Sequence, residues 1–483
     1  MFGWLALAPL LVASYRQSAR RAFGAGLTAG AIYFAGTLYW IARVMVVYGD
    51  LSGAVAVLVN LALIAYLALF PAIFALVMAR LTTRAGDRAL MAAPLVWVAT
   101  ELGRTYLFTG FPWVLLGYSQ ASVLPVAQIA SLVGVYGLSA LVASVSAGLA
   151  ALVVSRIPHA GAEGRTTRYL PLAVAVVAVT VAAGWGSTRM ARASLLAEGE
   201  PLLVGLLQGN VDQAEKWKPG RAAQIFADYL QQTRMAVAQG AQLVVWPESA
   251  TPFAFGDDLP ATEQIRALAR ETQVPLLIGS DQIEGAAASR YYNAAFLIRP
   301  DGTDGGTYRK MHLVPFGEYV PLRHVFFFAS RLVEAVSDFS PGRAIALLPV
   351  RGHVVSTAIC YEIVYPDLVR QSVRAGSELL TTITNDAWFG STSAPYQHFA
   401  QASMRAIENG RYLVRAANTG FSGIVDPYGR VLAISRLFEP AMVVGSVRLL
   451  RTDTLYARTG DVFAYACAVA TLLLLAAVRR RVQ

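Results

Sequence analysis

VVSTAICYE, residues 354–362, reads as a buried strand that ends abruptly on a cysteine beside a carboxylate. The β-branched residues Val354, Val355, Thr357 and Ile359 favour an extended chain, and Tyr361, Glu362 and Pro366 interrupt the apolar pattern directly after Cys360. The sulfur is therefore expected at a strand end, where side chains meet solvent and substrate. A thiol there attacks a substrate only if one neighbour takes its proton and another stabilises the charge that develops. Taken alone, a free cysteine is more often a small buried hydrophobe, so its partners decide the reading.

Two earlier stretches supply partners. LVVWPES, residues 243–249, is a short apolar strand closed by Trp246 and Pro247 that delivers Glu248 at its end. A carboxyl in that setting is expected to be desolvated, which raises its pKa toward the range useful to a general base. YRKMHLVPFGEYVP, residues 308–321, offers Lys310 and, eight residues later, Glu318. Arg309 and His312 make this stretch look like an ordinary basic loop, but a protonated Lys310 near Cys360 would favour the thiolate and hold an oxyanion. Backbone amides after the cysteine would be the other donors.

WPES, RKMHLVPFGEYVP and AICYE, in that order, resemble the Glu-Lys-Cys triad of the carbon-nitrogen hydrolase (nitrilase) superfamily. The wider chain resembles the apolipoprotein N-acyltransferase family through GFPWVLLGYSQ from Gly110, the segment 208–217, TNDAWFG from Thr384 and YARTGD before the last apolar run. The resemblance implies a four-layer αββα catalytic domain with Glu248, Lys310 and Cys360 as its triad. It also implies that Glu318 supports the lysine, that Tyr361 and Glu362 flank the nucleophile, and that Asn293 and Trp217 occupy functional positions. Nothing local to Asn293 or Trp217 demands a role, and Glu318 and Glu362 alone would read as surface carboxylates. Compared with the family, the chain is expected to begin near the second membrane helix.

Composition points to the membrane. Of 483 residues, 56% are hydrophobic, and the mean hydropathy is +0.49, too apolar for an ordinary soluble protein. Apolar runs at residues 2–14, 22–44, 54–78, 89–107, 123–154, 170–185 and 462–478 predict seven spans. Residues 1–186 are thus read as N-terminal transmembrane helices, about six spans. Residues 187–460 are read as a catalytic domain, and residues 461–483 as a last transmembrane helix with a basic tail.

The net charge of +10 does not require nucleic acid, because much of the excess flanks the apolar runs. Arg16, Arg20 and Arg21 follow the first run, Arg80, Arg84 and Arg88 the third, Arg156, Arg165 and Arg168 the fifth, and Arg479, Arg480 and Arg481 the last. Alternating spans place all four clusters on one side, which the positive-inside rule makes cytoplasmic. The large polar segment is then periplasmic, in a bacterial inner membrane. Within the membrane part, Glu101 and Arg104 are expected to form an i, i+3 pair near the surface. Phe111, Pro112, Trp113 and Tyr118 are expected to form an interfacial aromatic belt.

From Pro201 strands and helices alternate, which predicts a layered α/β domain. The loops 279–290 and 324–343 are expected to be mobile. Only Cys360 and Cys467 are present, so no disulfide framework is expected. His312, His324 and His398 form no metal-ligand pattern, and no glycine-rich phosphate loop is visible, so neither metal nor cofactor is expected.

The expected reaction is a two-step acyl transfer by a monomer, from a phospholipid through a Cys360 thioester to the α-amine of a diacylglyceryl apolipoprotein. Two rivals stand beside it. A membrane-tethered amidase would use the same triad on a soluble amide or nitrile, and a transporter or scaffold would merely bind lipid and be indifferent to Cys360.

Overall fold

The computed structural model describes residues 2–49, 51–156, 169–216, 218–285, 290–319 and 339–480. Trp217, Arg165, Arg168, Arg481 and most of the expected loop 324–343 lie outside the described residues. The chain divides into two compact units, one of Met1–Arg43, Ser52–Arg192 and Thr454–Gln483, the other of Val44–Leu51 and Ala193–Asp453.

The first unit is helical. Its helices of eight or more residues include α1 (Ala19–Leu38), the first half of α2 (Trp40–Val47), which passes into the second unit at Val44, α3 (Gly53–Ala85), α4 (Ala93–Tyr106), α5 (Ala130–Val154), α6 (Leu170–Arg192) and the final helix Val462–Arg480. Helices α1 and α3 run antiparallel at glycine contacts. A Cβ on Gly26 would stand 2.4 Å from the Pro71 carbonyl oxygen, and one on Gly30 would stand 2.8 Å from the Ala68 Cα, the small-residue packing by which helices in lipid gain close dispersion contact. At one end of this pair the Arg16 amide donates to Thr82 Oγ1 at 3.0 Å. Nearby, Leu7, Leu81, Ala89, Ala151 and Val478 share one apolar cluster. The basic flanks of α1, α3, α5 and the final helix therefore gather at the same end of the unit.

Among the described residues four helical runs are long and apolar enough to cross a membrane, or five if α1 and α2, bent by 50°, count as one span. Residues 2–14 yield a 3₁₀ turn and only a seven-residue helix, Ala8–Ser14. The runs at 54–78 and 89–107 belong to one 57-residue helical stretch, jointed where Gly86 takes φ +65°. Beyond the joint, α4 has 14 residues, about 21 Å at the usual rise per residue.

The aromatic belt is corrected. Pro112, Trp113 and Tyr118 are buried inside the helical unit, because their loop folds back into it and is held there by charges. Arg104 Nη1 donates to the Trp113 carbonyl at 2.8 Å, and Glu101 Oε1 accepts the Leu116 amide at 2.7 Å. Glu101 and Arg104 do meet each other, at 4.0 Å, but both are buried, and their short bonds are to the loop.

The second unit contains two six-stranded sheets. The first has the order β12 (Ala441–Leu449), β1 (Glu200–Gln208), β2 (Leu243–Val245), β3 (Leu276–Glu284), β4 (Arg290–Ile298), β5 (Asp304–Arg309). The second has the order β11 (Val431–Ile434), β10 (Gly423–Val425), β9 (Leu413–Ala417), β8 (Leu379–Thr384), β7 (His353–Ile359), β6 (Leu347–Val350). In each sheet three central strands are parallel, β1 to β3 and β7 to β9, flanked by antiparallel neighbours. The parallel strands are buried along most of their length, as sheets covered on both faces require.

Helices α7 (Pro219–Ala238) and α8 (Leu259–Thr272) lay Ile225, Phe226, Tyr229, Ile265 and Leu268 against Leu276, Ile278 and Phe296 of the first sheet. Helices α9 (Pro366–Arg374) and α10 (Ala394–Asn409) lie with the second sheet. The sheets face each other, so that Ile424 Cδ1 leaves only 2.6 Å for a Cβ on Gly445 and Gln208 Oε1 accepts the Ser422 hydroxyl at 2.7 Å. This is the expected αββα sandwich. Of the expected loop at 279–290, residues 279–284 continue β3, which pairs with β4 as far as Glu284 and Arg290, because the period-two alternation of these strands continues through polar residues, and residues 286–289 lie outside the described residues.

Candidate active site

Parallel strands carry reactive groups at their carboxyl ends, where the backbone leaves the sheet. Glu248 follows β2, Cys360 follows β7, and Asn385 and Asp386 follow β8. Lys310 comes from the end of the antiparallel β5, where its amide donates to the Asn293 carbonyl at 2.9 Å. These ends bring Glu248, Lys310, Glu318 and Cys360 into one buried polar cluster.

Lys310 is 1% exposed. Its Nζ donates to Glu318 Oε1 at 2.9 Å and to Glu248 Oε1 at 3.4 Å. Asn293 Nδ2 donates to the same two oxygens, at 3.0 and 2.7 Å. Asn293 and Lys310 thus bridge the two carboxylates, which would otherwise repel each other in a dry site. The remaining oxygens are also held, Glu248 Oε2 by the Asn385 amide and Glu318 Oε2 by the Val314 amide, both at 2.8 Å.

The electrostatics follow from burial and charge. Desolvation raises Glu248 above the usual carboxylate range, against the pull of Lys310 and with help from Glu318. Burial pushes Lys310 down, but Glu318, Glu248 and Cys360 outweigh it and hold the ammonium well above its ordinary pKa. Burial, then the Glu248 charge, push the Cys360 thiol up, while Lys310 pulls it down. The resting state is therefore a neutral thiol beside Glu248 and a fixed cation. Thiolate forms only when a neighbour removes the proton.

Cys360 itself has φ +53°, and the flanking positions Ser249 (φ +43°) and Phe316 (φ +60°) share that left-handed geometry. Non-glycine residues adopt it at a cost of about 1–3 kcal/mol each, so the surroundings must impose it. Glu362 is one such constraint. It is fully buried and accepts from the Ile359 amide at 2.7 Å, the Met311 amide at 2.6 Å, the His312 amide at 3.0 Å and the Tyr308 hydroxyl at 2.8 Å. One carboxylate thereby ties the cysteine turn to the lysine loop. Burial pushes Glu362 up to about 7 against the Ile359 and His312 amides.

Gly279 of β3 is a second constraint. A Cβ there would stand 2.1 Å from the Pro247 carbonyl oxygen, so only glycine lets β3 lie under the turn that presents Glu248. Lys216, buried beneath the same turn, donates Nζ to the Ser249 carbonyl.

Of the residues expected at the site, Glu248, Asn293, Lys310 and Glu318 are joined by hydrogen bonds, Cys360 lies within electrostatic reach of Glu248 and Lys310, and Glu362 ties the cysteine turn to the lysine loop. Tyr361 is buried beside the nucleophile, its ring against Tyr365 and His312. Glu318 and Glu362 are not surface carboxylates. Sequence reasoning gave no role to Asn385, Lys216 or the buried trio Asp386, His398 and Arg415. The signal for the last three was available, since Arg415 is a charge inside the apolar strand LVRAA and must be paired. Among the described residues no group of three or more His, Cys, Asp or Glu side chains could hold a metal ion.

Comparison with known proteins adds the family. The family model described as Carbon-nitrogen hydrolase matches residues 203–455, and that described as Apolipoprotein N-acyltransferase N-terminal domain matches residues 1–148. Apolipoprotein N-acyltransferase of Geobacter metallireducens is 43% identical, over 99% of this chain and 91% of its own. That of Methylococcus capsulatus is 36% identical, over 95% of this chain and 89% of its own. Among solved structures, an amidase from Nesterenkonia sp. aligns with 23% identity and a TM-score of 0.41, over 56% of this chain and 97% of the amidase.

Proposed function

This chain belongs to the apolipoprotein N-acyltransferase family, and from that premise we propose that it transfers a fatty acyl chain from a membrane phospholipid to the α-amine of an S-diacylglyceryl-cysteine at the start of an apolipoprotein. The observation that carries this reading is the convergence of Glu248, Lys310 and Cys360 in one buried cluster, with Lys310 held between two carboxylates.

Glu248 takes the proton from Cys360, and the thiolate attacks the ester carbonyl. Lys310 Nζ, already cationic, stabilises the oxyanion of the tetrahedral intermediate. The intermediate collapses with loss of lysophospholipid, whose alkoxide takes the proton back from Glu248, and a thioester remains on Cys360. The α-amine then attacks the thioester, Glu248 accepts its proton, and the Cys360 thiolate leaves as the amide forms. Glu318 and Asn293 keep Lys310 and Glu248 in register through both steps. The thioester is more reactive toward an amine than the starting ester, and near-complete burial of the cluster guards it from water.

The chain is a membrane protein, with four or five helical runs of spanning length among the described residues, more than a tether for a soluble amidase needs. The gathering of basic flanks at one end of the helical unit supports a cytoplasmic face there and a catalytic unit in the periplasm of an inner membrane. Parallel double-reciprocal lines for phospholipid and a synthetic diacylglyceryl-cysteinyl peptide, with N-acylated peptide as product, are the expected result. Intersecting lines would remove the acyl-enzyme, and release of free fatty acid without N-acylated peptide would favour a hydrolase.

A further inference from the structure

Behind the nucleophile lies a buried polar chain that the proposed chemistry leaves unused. His398, on α10, brings Nε2 to 3.2 Å from the Cys360 carbonyl oxygen. Its Nδ1 lies 3.0 Å from Arg415 Nη2 and 3.1 Å from Asp386 Oδ1. Arg415 Nη2 donates to Asp386 Oδ2 at 2.8 Å, and the Thr384 hydroxyl donates to Asp386 Oδ1 at 3.0 Å. His398, Asp386 and Arg415 are all fully buried.

The geometry assigns the protons. A carbonyl oxygen only accepts, so Nε2 carries a hydrogen and donates it to Cys360. A guanidinium only donates, so Nδ1 is the accepting nitrogen of a neutral ring, and Asp386 is satisfied by Arg415 and Thr384 instead. Burial and the adjacent Arg415 charge hold His398 below the ordinary imidazole range, consistent with that neutral ring. The same two features act oppositely on Asp386, where the Arg415 charge overcomes burial and keeps the carboxylate ionised.

The acceptor of this bond is the carbonyl of a strained residue. Cys360 is the first residue after β7 and takes the left-handed conformation that side chains disfavour. A bond to its carbonyl from a separate helix constrains ψ directly, and so the direction in which the turn presents Sγ. We propose that His398 is a positioning residue for the nucleophile, its Nε2–H fixing the Cys360 carbonyl while Asp386 and Arg415 hold the ring in one tautomer. The inference rests on Cys360 being the nucleophile.

Two substitutions separate the ends of the ring. In His398→Gln the amide nitrogen reaches the Nε2 position and still donates to the Cys360 carbonyl. In His398→Asn the amide reaches only the Nδ1 position, keeping polar company with Asp386 and Arg415 but losing the bond to Cys360. The measurement is the single-turnover rate of acyl-enzyme formation on the full chain, in mixed micelles of phosphatidylethanolamine and a non-ionic detergent. Rates are divided by the fraction of chain that unfolds cooperatively on heating, so that misfolded molecules do not count.

His398→Asn is expected to slow acylation by about 10²-fold with half-saturating lipid unchanged, the scale of loss from a small misplacement of a reacting group. His398→Gln is expected to recover at least tenfold of that loss. The parent rate in His398→Asn, or equal losses in both variants, would overturn the positioning role. A parent that forms no adduct at Cys360 would remove the premise, and the inference with it.

Discussion

Lys310 holds its charge because two buried carboxylates face it, and Glu248 resists ionisation because it is desolvated. These opposite pressures set the pH response. A carboxyl whose pKa is raised becomes a competent base only above that pKa, so acylation should rise with pH along a limb displaced upward from 4.5, the ordinary glutamate value. Lys310, shifted upward, stays protonated across that limb. Glu248→Gln should abolish the limb and slow acylation by about 10²–10⁴-fold, read as kcat/KM against pH. Lys310→Met strands two buried carboxylates and should cost about 3–5 kcal/mol of stability as well as activity, read as the thermal midpoint of the detergent-solubilised enzyme. At this scale the sequence revealed a thiol at a strand end and a carboxylate behind Trp-Pro. It did not reveal Asn385, whose contribution is a backbone amide, because every residue has one and only the fold aims it.

At the scale of elements, two turns must be held in register. Glu362 gathers three amides and a hydroxyl from the cysteine turn and the lysine loop. Glu362→Ala leaves those buried donors unsatisfied, at about 1–3 kcal/mol each where water cannot replace the carboxylate. It should lower the thermal midpoint together with activity. Gly279→Ala should behave differently. Its Cβ would force back the Pro247 carbonyl and thus Glu248, giving a loss of about 10²-fold in acylation with lipid KM nearly unchanged. That strands and helices alternate from Pro201 was legible, whereas their pairing into two facing sheets was implied only by the resemblance. The continuation of β3 through residues 279–284 was not legible, because Asp281, Gln282 and Glu284 look like loop residues while they occupy paired strand positions. Glycine contacts such as that of Gly279 depend on which strand lies beneath which turn, and that is set across the sheet.

For the whole molecule, apolar runs in the sequence coincide with the helices of the helical unit, but hydropathy does not register the joint at Gly86 or the return of residues 110–120 into that unit. Glu101 and Arg104 were visible as costly charges, but their partners are carbonyls and amides of a loop that composition assigns to the membrane surface. We place the end of the helical unit where the arginines gather on the cytoplasmic side, as the positive-inside rule proposes. A single cysteine at Arg84, in a chain whose native thiols are replaced, should resist a membrane-impermeant maleimide applied to intact spheroplasts, and one at Gln273 should react. The reverse pattern would invert the topology. The most direct test of the account is intact-protein mass spectrometry after incubation with phospholipid, on the parent and on Cys360→Ala. A fatty-acyl mass on the parent, released by hydroxylamine and absent from the variant, is the predicted result. No adduct on the parent, with transfer to the acceptor peptide surviving in Cys360→Ala, would contradict it.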